Sequence, residues 1–166
     1  NAIPQGKSHV DFYEMKGKLY FVTHLGFYEM IDGMERLPVN APAGYKLYPG
    51  GHILSYDLAS GKFEDLVIAP EGEGIITMIL DNDRGHIYGL SWPKGYFLHY
   101  DINKNELRNL GLVSANGEAG TPGKDFRVLC RSMFIDPENG TVYYSVAEGD
   151  IYSFHPEASS VSKVEG

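Results

Sequence analysis

The sequence has little positive charge, one cysteine, one tryptophan and no long hydrophobic run. Its 14 lysines and arginines stand against 22 aspartates and glutamates, so we expect no nucleic-acid partner. The single cysteine, Cys130, excludes an internal disulfide and a multi-cysteine metal site. No apolar stretch approaches the roughly 18 residues of a membrane span, and we expect no membrane partner.

Strand-forming and turn-forming residues are abundant. The chain of 166 residues contains 12 tyrosines, 8 phenylalanines, 20 glycines and 9 prolines. This composition favours an all-β protein with many short strands, and the length suffices for one domain with a real core. The sequence begins with Asn1 rather than methionine, which we interpret as a processed or excised segment.

Three segments follow one template, in which an apolar strand, a tight turn and a strand with an aromatic residue succeed one another. The template occupies residues 12–21, 79–88 and 134–143, and it aligns Gly17, Gly85 and Gly140. A second shared segment follows at residues 53–58, 97–102 and 151–156. A last strand is predicted at residues 63–69, 106–113 and 161–165. Each repeat therefore holds four short strands.

Four antiparallel strands repeated at about 45 to 65 residues predict the blades of a β-propeller. The predicted blades are residues 1–70, with a long insertion at 25–51, then 71–113 and 114–166. A β-sandwich is the alternative interpretation. Three blades leave sheet edges exposed, so we expect a larger ring of about seven blades. The remaining blades would come from the same polypeptide or from another chain.

Successive connections in such a blade alternate between two faces. The short turns fall on one face, and the insertion at 25–51, the loop at 91–96 and the linker at 114–126 fall on the other. Long loops on a rigid scaffold usually carry function. The second face is therefore where a functional site is predicted.

Three histidines and an arginine are predicted to converge on this face: His9, His24, His52 and Arg131. Alignment of the second strands of the repeats places His24 and Trp92 together at its rim. A histidine at a strand end can instead cap the strand or face solvent, and Arg131 can instead pair with a loop carboxylate. Substrate binding is predicted for His52, Trp92, Tyr96, Tyr48 and Lys94, whose aromatic rings suit a sugar. Hydrophobic packing of the loops is the alternative for these aromatic residues.

His9, His24 and His52 could also bind a divalent metal ion, although no aspartate or glutamate is obviously placed to complete the shell. No other cofactor is expected. The remaining histidines fall beside short turns or in mid-strand, and a structural role or exposure is predicted for them. They are His86, His99 and His155.

Residues 4–9, 17–24 and 49–57 read PQGKSH, GKLYFVTH and PGGHILSYD. These phrases resemble bacterial seven-bladed propellers that process uronate-containing polysaccharides, a group that includes ulvan-lyase-like enzymes and α-L-rhamnosidases. The resemblance covers mainly residues 4–58. It implies that His9 and His24 act as general base and acid and that Arg131 neutralises the uronate carboxylate.

The resemblance leaves the reaction type open. The lyases place a tyrosine shortly before the arginine, and this chain has none between Tyr100 and Arg127. The rhamnosidase-like relatives rely on one histidine, which His9 could match. Histidine suits both proton transfers of a β-elimination because its pKa lies near neutrality, and arginine clamps a carboxylate.

The predicted function is therefore β-elimination or glycoside cleavage of an acidic oligosaccharide or polysaccharide. A propeller without catalytic activity that binds a glycan or a protein on the same face is the alternative. The expected location is secreted or periplasmic.

Overall fold

The computed structural model describes residue 8 and residues 12–24, 29–31, 34–36, 50–113, 132–146 and 149–165. Within these ranges the chain forms fourteen β-strands and a single 3₁₀ turn at Pro70–Gly72. No helix in the described ranges is long and apolar enough to cross a membrane. The predicted all-β class is confirmed.

Twelve strands form three antiparallel sheets of four strands each. The first sheet contains β1 (Tyr13–Met15), β2 (Lys18–Val22), β5 (His52–Asp57) and β6 (Phe63–Ile68). The second contains β7 (Gly74–Asp81), β8 (His86–Trp92), β9 (Tyr96–Asp101) and β10 (Glu106–Leu112). The third contains β11 (Met133–Ile135), β12 (Val142–Ser145), β13 (Ile151–Phe154) and β14 (Ser162–Lys163). The other two strands, β3 (Glu29–Ile31) and β4 (Met34–Arg36), pair as a hairpin inside the predicted insertion.

The turn between the first two strands of each sheet depends on a glycine. Gly17, Gly85 and Gly140 have φ angles of 78°, 74° and 77°, the left-handed region where a Cβ is strained. In the second sheet, the N–H of Gly85 donates to the carbonyl of Asp81 at 2.8 Å. The alignment of the three repeats on these glycines is therefore confirmed.

The sheets pack on one another through two apolar cores. Val22 of the first sheet and Ile75 of the second lie in one core. Phe97 of the second sheet and Tyr144 of the third lie in the other, where their rings stack with centroids 4.4 Å apart. The second sheet thus buries both of its faces, as the middle member of a stack.

Two arginines of the second sheet also bind the third sheet. Arg84 Nη2 donates to the carbonyl of Glu138 at 3.0 Å, and Arg108 Nη2 donates to the carbonyl of Ala158 at 2.7 Å. Both carbonyls belong to turns of the third sheet. These bonds tie the two sheets together at their rims, outside the apolar core.

The last strands end earlier than predicted. Strand β6 ends at Ile68, β10 ends at Leu112, and β14 contains two residues. In β10 the pairing with β9 is irregular between Asn109 and Leu112, and Gly111 there has a φ of 96°. The three sheets fall within the predicted blades 1–70, 71–113 and 114–166, although the blade boundaries themselves stay a prediction.

Candidate functional site

In the first two sheets, the described residues of the connections from second to third strands, and of the connection from the first sheet to the second, lie on one face. We call the part of it formed by residues 23–24, 50–52, 68–74 and 92–96 the long-loop face. The loop of the second sheet is shorter than the predicted 91–96. Ser91 and Trp92 still belong to β8 and Tyr96 begins β9, and the N–H of Tyr96 donates to Ser91 Oγ at 2.8 Å across the connection.

A close backbone contact joins the first two sheets at this face. The N–H of Gly51 donates to the carbonyl of Glu73 at 2.7 Å, and the N–H of Ile75 donates to the carbonyl of Thr23 at 3.0 Å. A Cβ on Gly51 would lie 2.2 Å from the Thr23 carbonyl oxygen and 2.6 Å from the Ile75 nitrogen. Gly51 is therefore required because two backbones pass where a side chain would stand.

His24 follows β2 and is buried, with 1% of its surface exposed. Its ring meets Trp92 of the second sheet edge-on, with centroids 5.1 Å apart and planes 87° apart. The predicted neighbourhood of His24 and Trp92 is therefore present in the structure. Trp92 is also 1% exposed, so its ring lies beneath the surface rather than on it.

His52 begins β5 and is likewise buried, at 2% exposure. Its Nδ1 lies 2.8 Å from Oδ1 of Asp65 on the neighbouring strand β6. Its backbone N–H donates to Thr23 Oγ1 at 2.8 Å. A carboxylate partner fixes the orientation of an imidazole, so His52 is held in one position within the sheet.

Glu73 is a buried carboxylate at the same face, with 2% of its surface exposed. Its Oε2 accepts hydrogen bonds from Ser91 Oγ at 2.9 Å and from the N–H of Lys94 at 2.8 Å. Burial raises the pKa of Glu73, and these hydrogen bonds oppose the rise. Glu73 therefore fixes the loop that carries Lys94.

Glu71, Lys94 and Tyr96 form an exposed polar cluster above this loop. Oε2 of Glu71 accepts hydrogen bonds from both Lys94 Nζ and the Tyr96 hydroxyl, the latter at 2.8 Å. The bond to Lys94, followed by the bond to Tyr96, lowers the pKa of Glu71. An ammonium and a phenol therefore converge on one carboxylate oxygen.

Several predicted site residues lie outside the described residues: His9, Arg131 and Tyr48. Their predicted roles, and the catalytic and binding roles of His24, His52, Trp92, Tyr96 and Lys94, stay predictions. Among the described residues, no three histidine, cysteine or acidic side chains are grouped to hold a metal ion. Since His9 is outside that set, a three-histidine metal site also stays a prediction.

Sequence reasoning missed Glu71, Glu73 and Ser91. The stretch Glu71-Gly72-Glu73-Gly74 reads as an acidic connection between two strands, and nothing in it separates a buried carboxylate from an exposed one. The distinction arises from Ser91 and Lys94, about twenty residues later, which supply the donors. Only the pairing of β7 with β8 brings the two segments together.

His86 and His99 form a pair toward the short-turn end of the second sheet. His99 Nε2 is 3.0 Å from His86 Nδ1, and the His99 ring stacks on Tyr88 with centroids 5.1 Å apart. Burial lowers the pKa of His99 to about 4, and the neighbouring His86 adds to this shift. His99 packs on Phe154 of the third sheet, with ring centroids 5.5 Å apart, as expected for a structural residue.

A polar groove of about 340 Å³ lies at the same end of the first sheet. It is lined by Lys18, Ser55, Asp57, Ser60, Lys62, Phe63 and Glu64. Lys18 Nζ is paired with Glu64 Oε2 at 3.2 Å, so much of the local charge is already neutralised. The groove is remote in the sheet from the long-loop face, since it lies at the opposite ends of β2 and β5.

The stacked four-stranded sheets define the fold class as all-β, of the β-propeller type. No family model and no curated protein matches the chain. The extracellular domain of a protein named as a one-component system from B. thetaiotaomicron is similar over 95% of this chain, with a TM-score of 0.53 and 14% identity. A chain of a mitotic checkpoint complex is similar over 69% of this chain, with a TM-score of 0.50 and 9% identity. The match spans 16% of the first chain and 31% of the second, and it shows the fold alone.

Proposed function

We propose that the long-loop face binds an acidic saccharide and that Lys94 and Tyr96 receive its carboxylate. The observation that supports this is the convergence of Lys94 Nζ and the Tyr96 hydroxyl on Oε2 of Glu71. A uronate presents the same carboxylate oxygens as glutamate, and it can accept the same pair of hydrogen bonds. Glu71 thus occupies the position proposed for the ligand carboxylate.

A ligand carboxylate can replace the carboxylate of Glu71 as the acceptor of these two hydrogen bonds. The side chains of Glu71 and Lys94 are 52% and 54% exposed, so a ligand can reach both groups. Glu71 has a φ of 57°, which is uncommon for a residue with a side chain, and it belongs to a single 3₁₀ turn. Displacement of its carboxylate would therefore sacrifice one exposed ion pair, an interaction of small net energy.

The base of the proposed site is buried and hydrogen-bonded. The loop with Lys94 is fixed by Glu73 and Ser91, and the buried pair of His24 and Trp92 lies at the same face. Preorganised groups bind more tightly because less conformational freedom is lost on association.

The proposed location is outside the cytoplasm, secreted or periplasmic. The similarity in fold to an extracellular domain supports this proposal. A protein in that location meets the polysaccharides of its surroundings directly. The ligand class, a uronate-containing oligosaccharide, follows from the resemblance of residues 4–58 and from the ammonium and phenol donors.

Calorimetric titration with an oligoglucuronate tests the proposal. Lys94→Met should weaken binding by about tenfold to a hundredfold, since a hydrogen bond to a charged group is worth about 1.5–3 kcal/mol. Glu71→Gln should strengthen binding, because it removes the competing charge. Lys62→Met is the matched control, since Lys62 is an exposed lysine near the short turns. Equal affinities of the Lys94→Met and Lys62→Met variants would contradict the proposal.

Catalysis on the same saccharide, by β-elimination or glycoside cleavage, is the second candidate. The position of His24 after the end of β2, against Trp92, supports it. His9 and Arg131 are the residues proposed to act with His24 in this reaction. Binding ranks first because His24 is 1% exposed and proton transfer needs direct contact with the substrate. New unsaturated ends or reducing ends, lost in His24→Gln but not in His155→Gln, would favour catalysis over binding alone.

A further inference from the structure

The polar groove at the short-turn end of the first sheet lies beside the contact between the first and second sheets. Ser55, which lines the groove, alternates along β5 with Ile53, and Ile53 packs in the core that these two sheets share. Direct cross-strand pairing places Glu64 of β6 on the same side of the sheet as Ser55. The groove therefore opens toward the second sheet of this chain.

Larger side chains occupy the equivalent position of the second sheet. Ser55 pairs with Glu64 across two strands, just as His99 pairs with Arg108. His99 packs on Phe154 of the third sheet, and the guanidinium of Arg108 donates to two carbonyls there. A serine is much smaller than a histidine, and an ionised carboxylate cannot donate a hydrogen bond. The groove of about 340 Å³ is therefore left where the next repeat is filled.

An ion pair crosses the groove above Ser55. Lys18 Nζ lies 3.2 Å from Glu64 Oε2, which joins β2 to β6 across β5. The two side chains are 37% and 59% exposed, and an exposed ion pair contributes little net energy, so a ligand can open it at small cost.

Ser55 supplies a second polar group at the bottom of the groove. It is 2% exposed, and its hydroxyl makes no hydrogen bond with any residue that the structure describes. A buried hydroxyl without a partner is unfavourable. A ligand that reaches Ser55 therefore gains a hydrogen bond that the chain itself leaves unmade.

We propose that this groove binds a small zwitterion, a free α-amino acid with a short polar side chain. The carboxylate of the ligand accepts hydrogen bonds from Lys18 Nζ and from the Ser55 hydroxyl, and its ammonium donates to the Glu64 carboxylate. Both members of the opened ion pair then keep a partner of opposite charge. A ligand with a single charge would leave one of them without a counter-charge.

The size and lining of the groove agree with this class of ligand. A volume of about 340 Å³ lies at the lower end of the range for small-molecule sites. Ser60 and Asp57 also line the groove, and they favour a side chain that carries a hydroxyl over an apolar one. The groove lies at the opposite ends of β2 and β5 from the long-loop face, so this proposal is independent of the saccharide site.

Nuclear magnetic resonance titration of the isotope-labelled intact chain with L-serine tests the proposal. Saturable changes are expected at the backbone amides of Lys18, Ser55 and Glu64. Ethanolamine lacks the carboxylate of serine, and 3-hydroxypropanoate lacks its ammonium, so each should bind at least about tenfold more weakly. Equal binding of L-serine and either of these probes would overturn the proposal, because one charge would then suffice.

Variants of the ion pair give a second measurement. Lys18→Met and Glu64→Gln should each weaken the binding of L-serine by about tenfold to a hundredfold. Lys163→Met is the matched control, since Lys163 is 54% exposed and forms an ion pair with Asp150 in the third sheet. Amide spectra without ligand would verify that all three variants keep the fold.

Three results would overturn the proposal. The first is the absence of saturable change with L-serine. The second is saturable change at Glu71 and Lys94 in place of Lys18 and Glu64. The third is equal affinity of the Lys18→Met and Lys163→Met variants.

Discussion

Ser91 Oγ donates a 2.9 Å hydrogen bond to Oε2 of Glu73, and both side chains are buried where the first two sheets meet. The same serine oxygen accepts the N–H of Tyr96, and the same glutamate oxygen accepts the N–H of Lys94. These hydrogen bonds fix the position of the loop at residues 92–96, which joins β8 to β9 at the long-loop face. The proposed saccharide site depends on this arrangement.

Replacement of Glu73 by alanine should therefore destabilise the chain. The change leaves the Lys94 N–H and the Ser91 hydroxyl without their acceptor in a buried place, at a cost of about 1–3 kcal/mol for each group. Urea unfolding should show a loss of about 2–6 kcal/mol. Glu157→Ala, at an exposed glutamate, is the control and should change stability by less than about 0.5 kcal/mol. Similar losses for the two variants would show that Glu73 does not fix the loop.

The buried histidine His99 should make stability depend on pH. Its pKa is lowered from 6.5 to about 4. Between these two pH values the imidazole is protonated in the unfolded chain and neutral in the native chain. Stability is fully present above pH 6.5 and falls as the pH drops toward 4, by about 3 kcal/mol at most. His99→Phe keeps the packing on Tyr88 and should flatten this part of the profile. Thermal unfolding across the range measures it, and His155→Gln, at an exposed position, should leave the profile unchanged.

Two glycine substitutions should separate steric overlap from backbone strain. Gly51→Ala places a Cβ 2.2 Å from a backbone oxygen, so the sheets must move apart and the loss should be about 3 kcal/mol or more. Gly17→Ala meets nothing within 4 Å, and its left-handed φ alone should cost about 1 kcal/mol. Denaturant midpoints of the two variants give the comparison. Equal losses would mean that the Gly51 contact is not tight.

The order of strands could be predicted from the sequence because turns carry local signals. Gly17, Gly85 and Gly140 mark the same turn three times, and a left-handed residue there needs no knowledge of distant contacts. Strand ends were less predictable. The end of β10 depends on a pairing irregularity between Asn109 and Leu112, where Gly111 has a φ of 96° and its N–H donates to Asn109 Oδ1 at 3.0 Å.

The site could be predicted only in outline. The position of His24 beside Trp92 follows from the alignment of equivalent strands, and the structure brings the two rings together. Burial could not be predicted, because strand position alone does not reveal whether neighbouring loops cover a side chain. Glu71 and Glu73 are two residues apart, yet one is exposed and the other is buried, because Glu71 lies in the 3₁₀ turn with a φ of 57° whereas Glu73 follows the turn in extended backbone.

The most direct test of the proposed saccharide site is a nuclear magnetic resonance titration of the isotope-labelled chain with a short oligoglucuronate. The proposal predicts saturable changes that are largest at the backbone amides of Glu71, Lys94 and Tyr96, and absent with a neutral oligosaccharide of the same length. Saturable changes confined to the groove around Lys18 and Lys62, or no saturable change at all, would contradict it.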